Sequence, residues 1–324
     1  MSIQPDAAPF GLYFDPRHTE HACDHQHPER PARADAVRDA LMQAEDSAAD
    51  AKWLPCPPAD RTDLERAHAP ELIDRVERAA RAGTTSLDPD TYLSAGSFDA
   101  ARRASGAAVD AVRRVRAGEL AGAFVVARPP GHHAERRAAM GFCLFDHVAV
   151  AAHWLRAEGG LDRVAIVDFD VHHGNGTQDV FWDDAWVFYA SLHEWPLFPG
   201  TGAANERGSG AGEGTTLNLP QAAGSDGRQW LGAVEGQLLP ALEAFEPQFL
   251  LISAGFDAHV EDPLARSRLT TADYGRMTEL LTSGLPVPTV SLLEGGYDLA
   301  ALAASARAHV DQLARSARTA RRDD

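Results

Sequence analysis

Val164-Ala-Ile-Val-Asp168-Phe-Asp170-Val-His172-His173-Gly-Asn175-Gly-Thr-Gln178 joins two kinds of sequence that together set the fold. From Val164 to Phe169 the residues are apolar and rich in β-branching, the pattern of a buried strand; the remainder is polar and glycine-rich, the pattern of a loop. The same run followed by a loop recurs at Ala123 to Ala127, Val187 to Ser191, Phe249 to Ser253 and Thr289 to Leu293. Phe145 to Arg156, Gly227 to Phe245 and Thr271 to Ser283 have amphipathic helical spacing, and alternation of strand with helix predicts a parallel sheet in an α/β fold. The N-terminal third reads as mainly helical. Ligands of such sheets bind beyond the carboxyl ends of the strands. There lie Arg128-Pro-Pro-Gly-His-His133, Asp168 to Thr177, Ser191-Leu-His193, Ser253-Ala-Gly-Phe-Asp257 and Glu294-Gly-Gly-Tyr297, so five strand ends converge on one candidate site.

A chain of 324 residues with 44% apolar content can bury a sizeable core, and neither a linker nor a repeat divides it. The Arg/Ala-rich end reads as a fraying helix and tail, giving a domain over 1–315 and a flexible tail over 316–324. A net charge of −17 argues against direct nucleic-acid binding, which needs clustered cations against phosphates. Lys52 is the only lysine, so the acidity fits a salt-rich or high-GC source better than it marks a cationic substrate. Cys23, Cys56 and Cys143 form no C-x-x-C pair and suggest neither a disulfide framework nor a thiolate zinc site. No segment approaches the roughly 20 apolar residues of a membrane span, and no basic, apolar leader opens the chain. The expectation is a soluble cytoplasmic protein.

Asp170 and His172 are two residues apart, so a strand continuing to His172 would point both, and Asp168, to one side. Carboxylate and imidazole together suit a hard or borderline cation, and with Asp257 as third ligand the set has the composition of a catalytic zinc site. The bland alternative is a hydrogen-bonded polar loop. His132 and His133 follow a rigid Pro-Pro-Gly turn that can aim both rings into a cleft, where Asp168 and Asn175 are candidate partners for acid/base work; a surface pair is the plainer reading. Tyr297, after two glycines, can place a hydroxyl over a carbonyl oxygen or be an ordinary loop tyrosine. Phe142 and Phe198 can flank an apolar substrate stem or pack in the core. Gly200 to Gly214 lacks a phosphate-loop pattern and opens no helix after a strand, which excludes a nucleotide site and leaves a flexible surface loop.

These residues resemble the histone deacetylase and acetylpolyamine amidohydrolase family, in particular its class II-like bacterial members. The resemblance rests on His27-Pro-Glu-Arg-Pro-Ala-Arg33, Pro129-Pro-Gly-His-His-Ala134, Gly141-Phe-Cys143, Asp168 to Gln178, Ser191-Leu-His193, Phe198 to Gly202, Ser253 to Asp257 and Glu294 to Tyr297, in order along nearly the whole chain. It implies an arginase-like single-domain α/β fold with a central, mainly parallel eight-stranded sheet. It also implies one Zn2+ per chain on Asp170, His172 and Asp257, with Fe2+ as the open alternative. Asp168 would support His132, His133 would be the general base and then acid, and Tyr297 would polarise the scissile carbonyl. Phe142 and Phe198 would wall an acyl-lysine tunnel beside Gly141, Gly295 and Gly296, with Asp90 as a carboxylate at the rim. A structural K+ would map to Asp168, Asp170, His172, Ser191 and Leu192, and a second to Phe181 and Val187. Asn175 stands where class I members carry Asp, so His133 is expected to keep a lower pKa than an Asp partner would give it.

The implied reaction is hydrolysis of the acyl amide of lysine side chains, with an acylated lysine peptide or an acetylated small amine as partner. Leu264 occupies the position of a gatekeeping Glu in a polyamine-selective relative, which tilts the expectation toward acyl-lysine. A homo-oligomer is left open. A binuclear manganese ureohydrolase is the nearest chemical rival, but Ala258 and His259 follow Asp257 where a D-x-D pair is needed. An acyl-lysine or polyamine sensor without catalysis is the rival from the binding class.

Overall fold

The computed structural model describes residues 8–23, 26–44 and 50–319. Eight strands form one sheet: β1 (Phe10–Tyr13), β2 (Lys52–Leu54), β3 (Gly122–Val125), β4 (Val164–Asp168), β5 (Val187–Glu194), β6 (Thr216–Gln221), β7 (Phe249–Ala254) and β8 (Thr289–Leu293). Their order is β2-β1-β3-β8-β7-β4-β5-β6. Every pairing is parallel, so the expected mainly parallel sheet is wholly parallel. The N-terminal third is mainly helical, as expected, and also supplies the short strands β1 and β2.

The strands are apolar on both sides because both faces are covered, and their alternation divides the core in two. Val125, Ile166 and Leu251 face the helices Ser97–Arg116 and His147–Ala157 through Ala108, Val112, Val148 and Ala151. Phe124, Val167, Leu250 and Ile252 face the other way, toward Val37, Trp230, Met277, Leu281, Leu302 and Val310. The helical stretch from Gly227 to Phe245 is continuous in space but carries a π-helical turn at Val234–Leu238. The C-terminal helix Leu299–Thr319 extends into the segment read as a tail, of which residues 320–324 lie outside the described residues. Among the described residues, no helix is long and apolar enough to cross a membrane.

After β3 the chain crosses to β4, leaving a gap that β7 and β8 later fill. The strand ends of β3, β8, β7, β4 and β5 therefore stand side by side. Register completes the alignment, with Asp168 level with both Ser191 and Ser253, and Ser253 level with Leu292.

Candidate active site

β4 ends at Asp168, so strand alternation is not what brings Asp170 and His172 together. The chain instead bends, and each bend is closed by a carboxylate that accepts a backbone N–H two residues on, as polar turn residues do. Asp168 accepts from the Asp170 N–H at 3.0 Å, and Asp170 accepts from the His172 N–H at 2.9 Å. From the loop after β7, Asp257 accepts the Val171 N–H at 2.9 Å and lies 3.1 Å from His172 Nδ1. From the loop after β8, the Gly295 N–H donates to Asp170 at 2.7 Å. Only glycine fits there: a Cβ on residue 295 would stand 2.1 Å from Asp257 Oδ2 and 2.5 Å from Asp170 Oδ2.

Asp170, His172 and Asp257 are buried, and their ligand atoms lie within 4.8 Å of one another. Burying two carboxylates together is costly without a cation between them. Burial and the nearby Asp170 charge push the Asp257 carboxyl up to about 6. At His172 burial opposes the charged form, but the hydrogen bonds to Asp170 and Asp257 overcome it and raise the imidazole to about 10. With no other cation between them, the carboxylates would favour a proton on His172. One imidazole and two carboxylates beside an open cavity fit a catalytic divalent metal, which must displace that proton and so binds more weakly as pH falls.

The two histidines after β3 have different partners and opposite electrostatics. His132 Nδ1 is 3.0 Å from Asp168 Oδ2, and His133 Nδ1 is 2.8 Å from Asn175 Oδ1. Burial disfavours charge on both rings. At His132 the charges of Asp170 and Asp168 prevail and hold the pKa well above the usual histidine value. At His133 burial and the adjoining cationic rings of His132 and His172 push it well below. A charged His132 beside a neutral His133 is the separation of roles that acid/base chemistry exploits.

These groups meet a cavity of about 240 Å³. His133, His172 and Tyr297 are its buried end; Phe142, Leu197 and Leu264 are half-buried, and Phe198 and Asp90 stand exposed at the mouth. The Phe198 ring meets the His133 ring edge-on at 5.1 Å. Gly141 has φ +56°, and a Cβ there would come within 2.6 Å of the His133 ring, so glycine lets Phe142 approach. Among the described residues the Tyr297 hydroxyl has no hydrogen-bond partner, and its ring stacks under the Arg33 guanidinium at 4.8 Å. A larger recess, about 560 Å³, opens at the opposite ends of β1, β3 and β8, but among the described residues Arg116 is its only charged lining residue. Chemistry, not size, marks the site.

Gly295 and Gly296 do not line the cavity; Gly295 serves Asp170, and the Gly296 carbonyl accepts from Arg33 at 2.6 Å. Ser191 and Leu192 lie on β5 beside Asp168, whereas Phe181 and Val187 are buried with Val187 at the far end of that strand. Five residues whose roles the sequence did not disclose hold the site together. Glu294 accepts the N–H groups of Gly131 and His132 at 2.7 and 3.2 Å. Asp262 accepts the Tyr297 N–H at 2.7 Å and the Leu264 N–H at 3.0 Å. The buried Arg33 and Arg128 share Glu29, at 3.3 and 2.7 Å, and so brace the loop after β8 against the N-terminal segment. The surface loop after Phe198 is likewise pinned, since Glu206 accepts the Gly202 and Ala203 N–H groups and the Gln178 amide.

Residues 27–313 match the family model for the histone deacetylase domain. The chain is 41% identical over 293 residues to Histone deacetylase 15 of Arabidopsis thaliana, an alignment covering 89% of this chain and 52% of that protein, so it spans about half of the plant relative. It is 38% identical over 272 residues to Histone deacetylase-like amidohydrolase of Pseudomonas aeruginosa, covering 82% of this chain and 71% of that one. The crystal structure of the HDA15 HD domain is similar with a TM-score of 0.90 at 38% identity, over 95% of this chain and 90% of that chain.

Proposed function

This chain belongs to the histone deacetylase family, whose chemistry is amide deacetylation, and from that premise we propose that it is a zinc-dependent hydrolase of acyl-lysine side chains. The observation that carries the reading is the meeting of a neutral, buried His133, the Asp170–His172–Asp257 cluster and the Tyr297 hydroxyl at one end of a cavity with apolar walls. Phe142, Leu197, Phe198 and Leu264 suit the methylene stem of lysine. Leu264 offers no charge to a second ammonium, which favours acyl-lysine over an acetylpolyamine. Asp90 at the mouth can accept a substrate backbone N–H. We extend the reading to a structural K+ at Asp168, Asp170, His172, Ser191 and Leu192, supported by the polar, buried junction of β4 and β5.

Zinc held by Asp170, His172 and Asp257 would acidify water toward a pKa of roughly 7 and polarise the amide carbonyl. His133 Nε2 accepts the proton of the attacking water, because its other nitrogen is engaged by Asn175. Tyr297 donates its hydroxyl to the carbonyl oxygen as negative charge develops there. His132, kept charged by Asp168 and Asp170, adds positive potential close by. His133 then gives its proton to the leaving nitrogen, and acetate and free amine result. Acetate release from an acetyl-lysine peptide, measured beside N-acetylputrescine, tests the substrate: preference for the polyamine or inactivity on both would overturn it.

Tyr297→Phe is expected to lower turnover by about 10²–10³-fold, the effect of removing one oxyanion donor, with little change in KM or melting temperature. Near-normal turnover would remove Tyr297 from the mechanism. Asn175→Asp is expected to move the acid limb of the kcat/KM profile to higher pH. A carboxylate 2.8 Å from His133 Nδ1 favours its protonated form, and a base works only above its pKa. An unmoved limb, or one shifted to lower pH, would contradict this assignment.

A further inference from the structure

The amide of Asn175 can face His133 in either of two ways, and they are not equivalent. With its oxygen toward Nδ1, the ring must carry its hydrogen on Nδ1, which leaves Nε2 bare and basic. With its NH2 toward Nδ1, the hydrogen must sit on Nε2, and the ring cannot accept a proton from water. His133 itself does not decide between them, since each arrangement is a satisfactory hydrogen bond.

The decision is made on the far side of the amide. Asn175 Nδ2 lies 2.8 Å from Glu135 Oε1 and 3.3 Å from Met140 Sδ. An ionised carboxylate and a thioether are both acceptors only, so the NH2 end must point at them and the oxygen end at His133. Glu135 is built into place even though its side chain is half-exposed. Its N–H donates to the Ala138 carbonyl at 2.8 Å, and its carbonyl is 3.0 Å from Nδ1 of the buried His68. His68 Nε2 in turn accepts the Asp146 N–H at 2.8 Å, so the turn carrying Glu135 is tied to the start of the helix His147–Ala157.

We propose that Glu135 is a positioning residue that sets the tautomer of His133 by fixing the orientation of the Asn175 amide. It never touches substrate and acts through one intervening side chain. The inference rests on the reading of His133 as the group that accepts the proton of water. It also gives the amide at 175 a specific need: an aspartate there has no orientation to choose and needs no acceptor behind it, whereas an asparagine does.

The test uses zinc-loaded enzyme labelled with 15N-histidine, in which the nitrogen resonances of His133 report its tautomer directly and are assigned by their loss in His133→Ala. Glu135→Gln can still present a carbonyl to Asn175 and should keep the Nδ1–H form with most of its turnover. Glu135→Lys presents only donors, so the amide should reverse and the hydrogen move to Nε2. Turnover should then fall by roughly 10²-fold or more at unchanged KM, as general bases held in the wrong tautomer behave. Adding Asn175→Asp to Glu135→Lys should recover much of the loss, which a merely unfolded turn would not allow. The proposal is overturned if Glu135→Lys keeps the Nδ1–H form, if Glu135→Gln loses as much as Glu135→Lys, or if the double variant recovers nothing. A reversed tautomer with undiminished turnover would uphold the role of Glu135 and overturn that of His133 as the base, so the two failures are distinguishable.

Discussion

Asp257→Asn is expected to reduce amide hydrolysis by roughly 10³-fold or more, since acidification of water from a pKa of 15.7 toward about 7 is lost with the metal. Asparagine preserves the shape of the side chain and can still accept the Val171 N–H, which Asp257 now accepts at 2.9 Å, so the fold should survive. A second readout separates metal binding from catalysis. Zinc at about 100 times its Kd should stabilise the wild type by roughly 2.7 kcal/mol and raise its melting temperature, while the variant should scarcely respond. The metal-free variant should melt no lower than metal-free wild type. Burial and Asp170 already push the Asp257 carboxyl up to about 6, and removing its charge relieves that repulsion. A variant with the zinc response and rate of the wild type would remove Asp257 from the metal site.

His133→Ala is the second large effect, an expected loss of about 10²–10⁴-fold in turnover with KM nearly unchanged. Here the zinc-dependent rise in melting temperature should persist, because His133 stands beside the Asp-His-Asp cluster and is not one of its three members. Added imidazole should restore part of the rate by occupying the space the ring leaves in the cavity. Wild-type turnover in this variant would show that another group takes the proton of water.

The five strands legible as apolar runs prove to be the five contiguous central strands, β3, β8, β7, β4 and β5. Covered on both faces, they need apolar residues at nearly every position, and their composition is unmistakable. The three that escaped lie toward the margins. β2 is only Lys52–Leu54 with its first two residues exposed, β6 is half-buried at Leu217, Pro220 and Gln221, and β1 is a four-residue stretch interrupted by Gly11. β2 and β6 are the edges, which tolerate these features because one side has no ladder to complete, whereas β1 is paired on both sides and is simply too short to read as a strand.

The candidate reacting groups were legible for a related reason, since they follow the central strands directly and are of unusual residue types. The expected pairs, His132 with Asp168 and His133 with Asn175, are within hydrogen-bond distance. The alignment of Asp170 with His172 came about differently from its expectation, through turns after β4. The bracing residues were not legible because their partners are backbone groups remote in sequence. Asp262 reaches the Tyr297 N–H 35 residues on, and Arg33 reaches the Glu294 carbonyl 261 residues on. No local spacing encodes such contacts, and only the fold brings them together.

One-metal hydrolysis of an acyl-lysine amide can be measured as acetate release from an acetyl-lysine peptide while zinc is titrated into metal-stripped enzyme. Negligible release is expected without metal, with activity that rises to a plateau at one zinc per chain. Release undiminished by stripping, a plateau at two metals per chain, or no release at full zinc occupancy would contradict it.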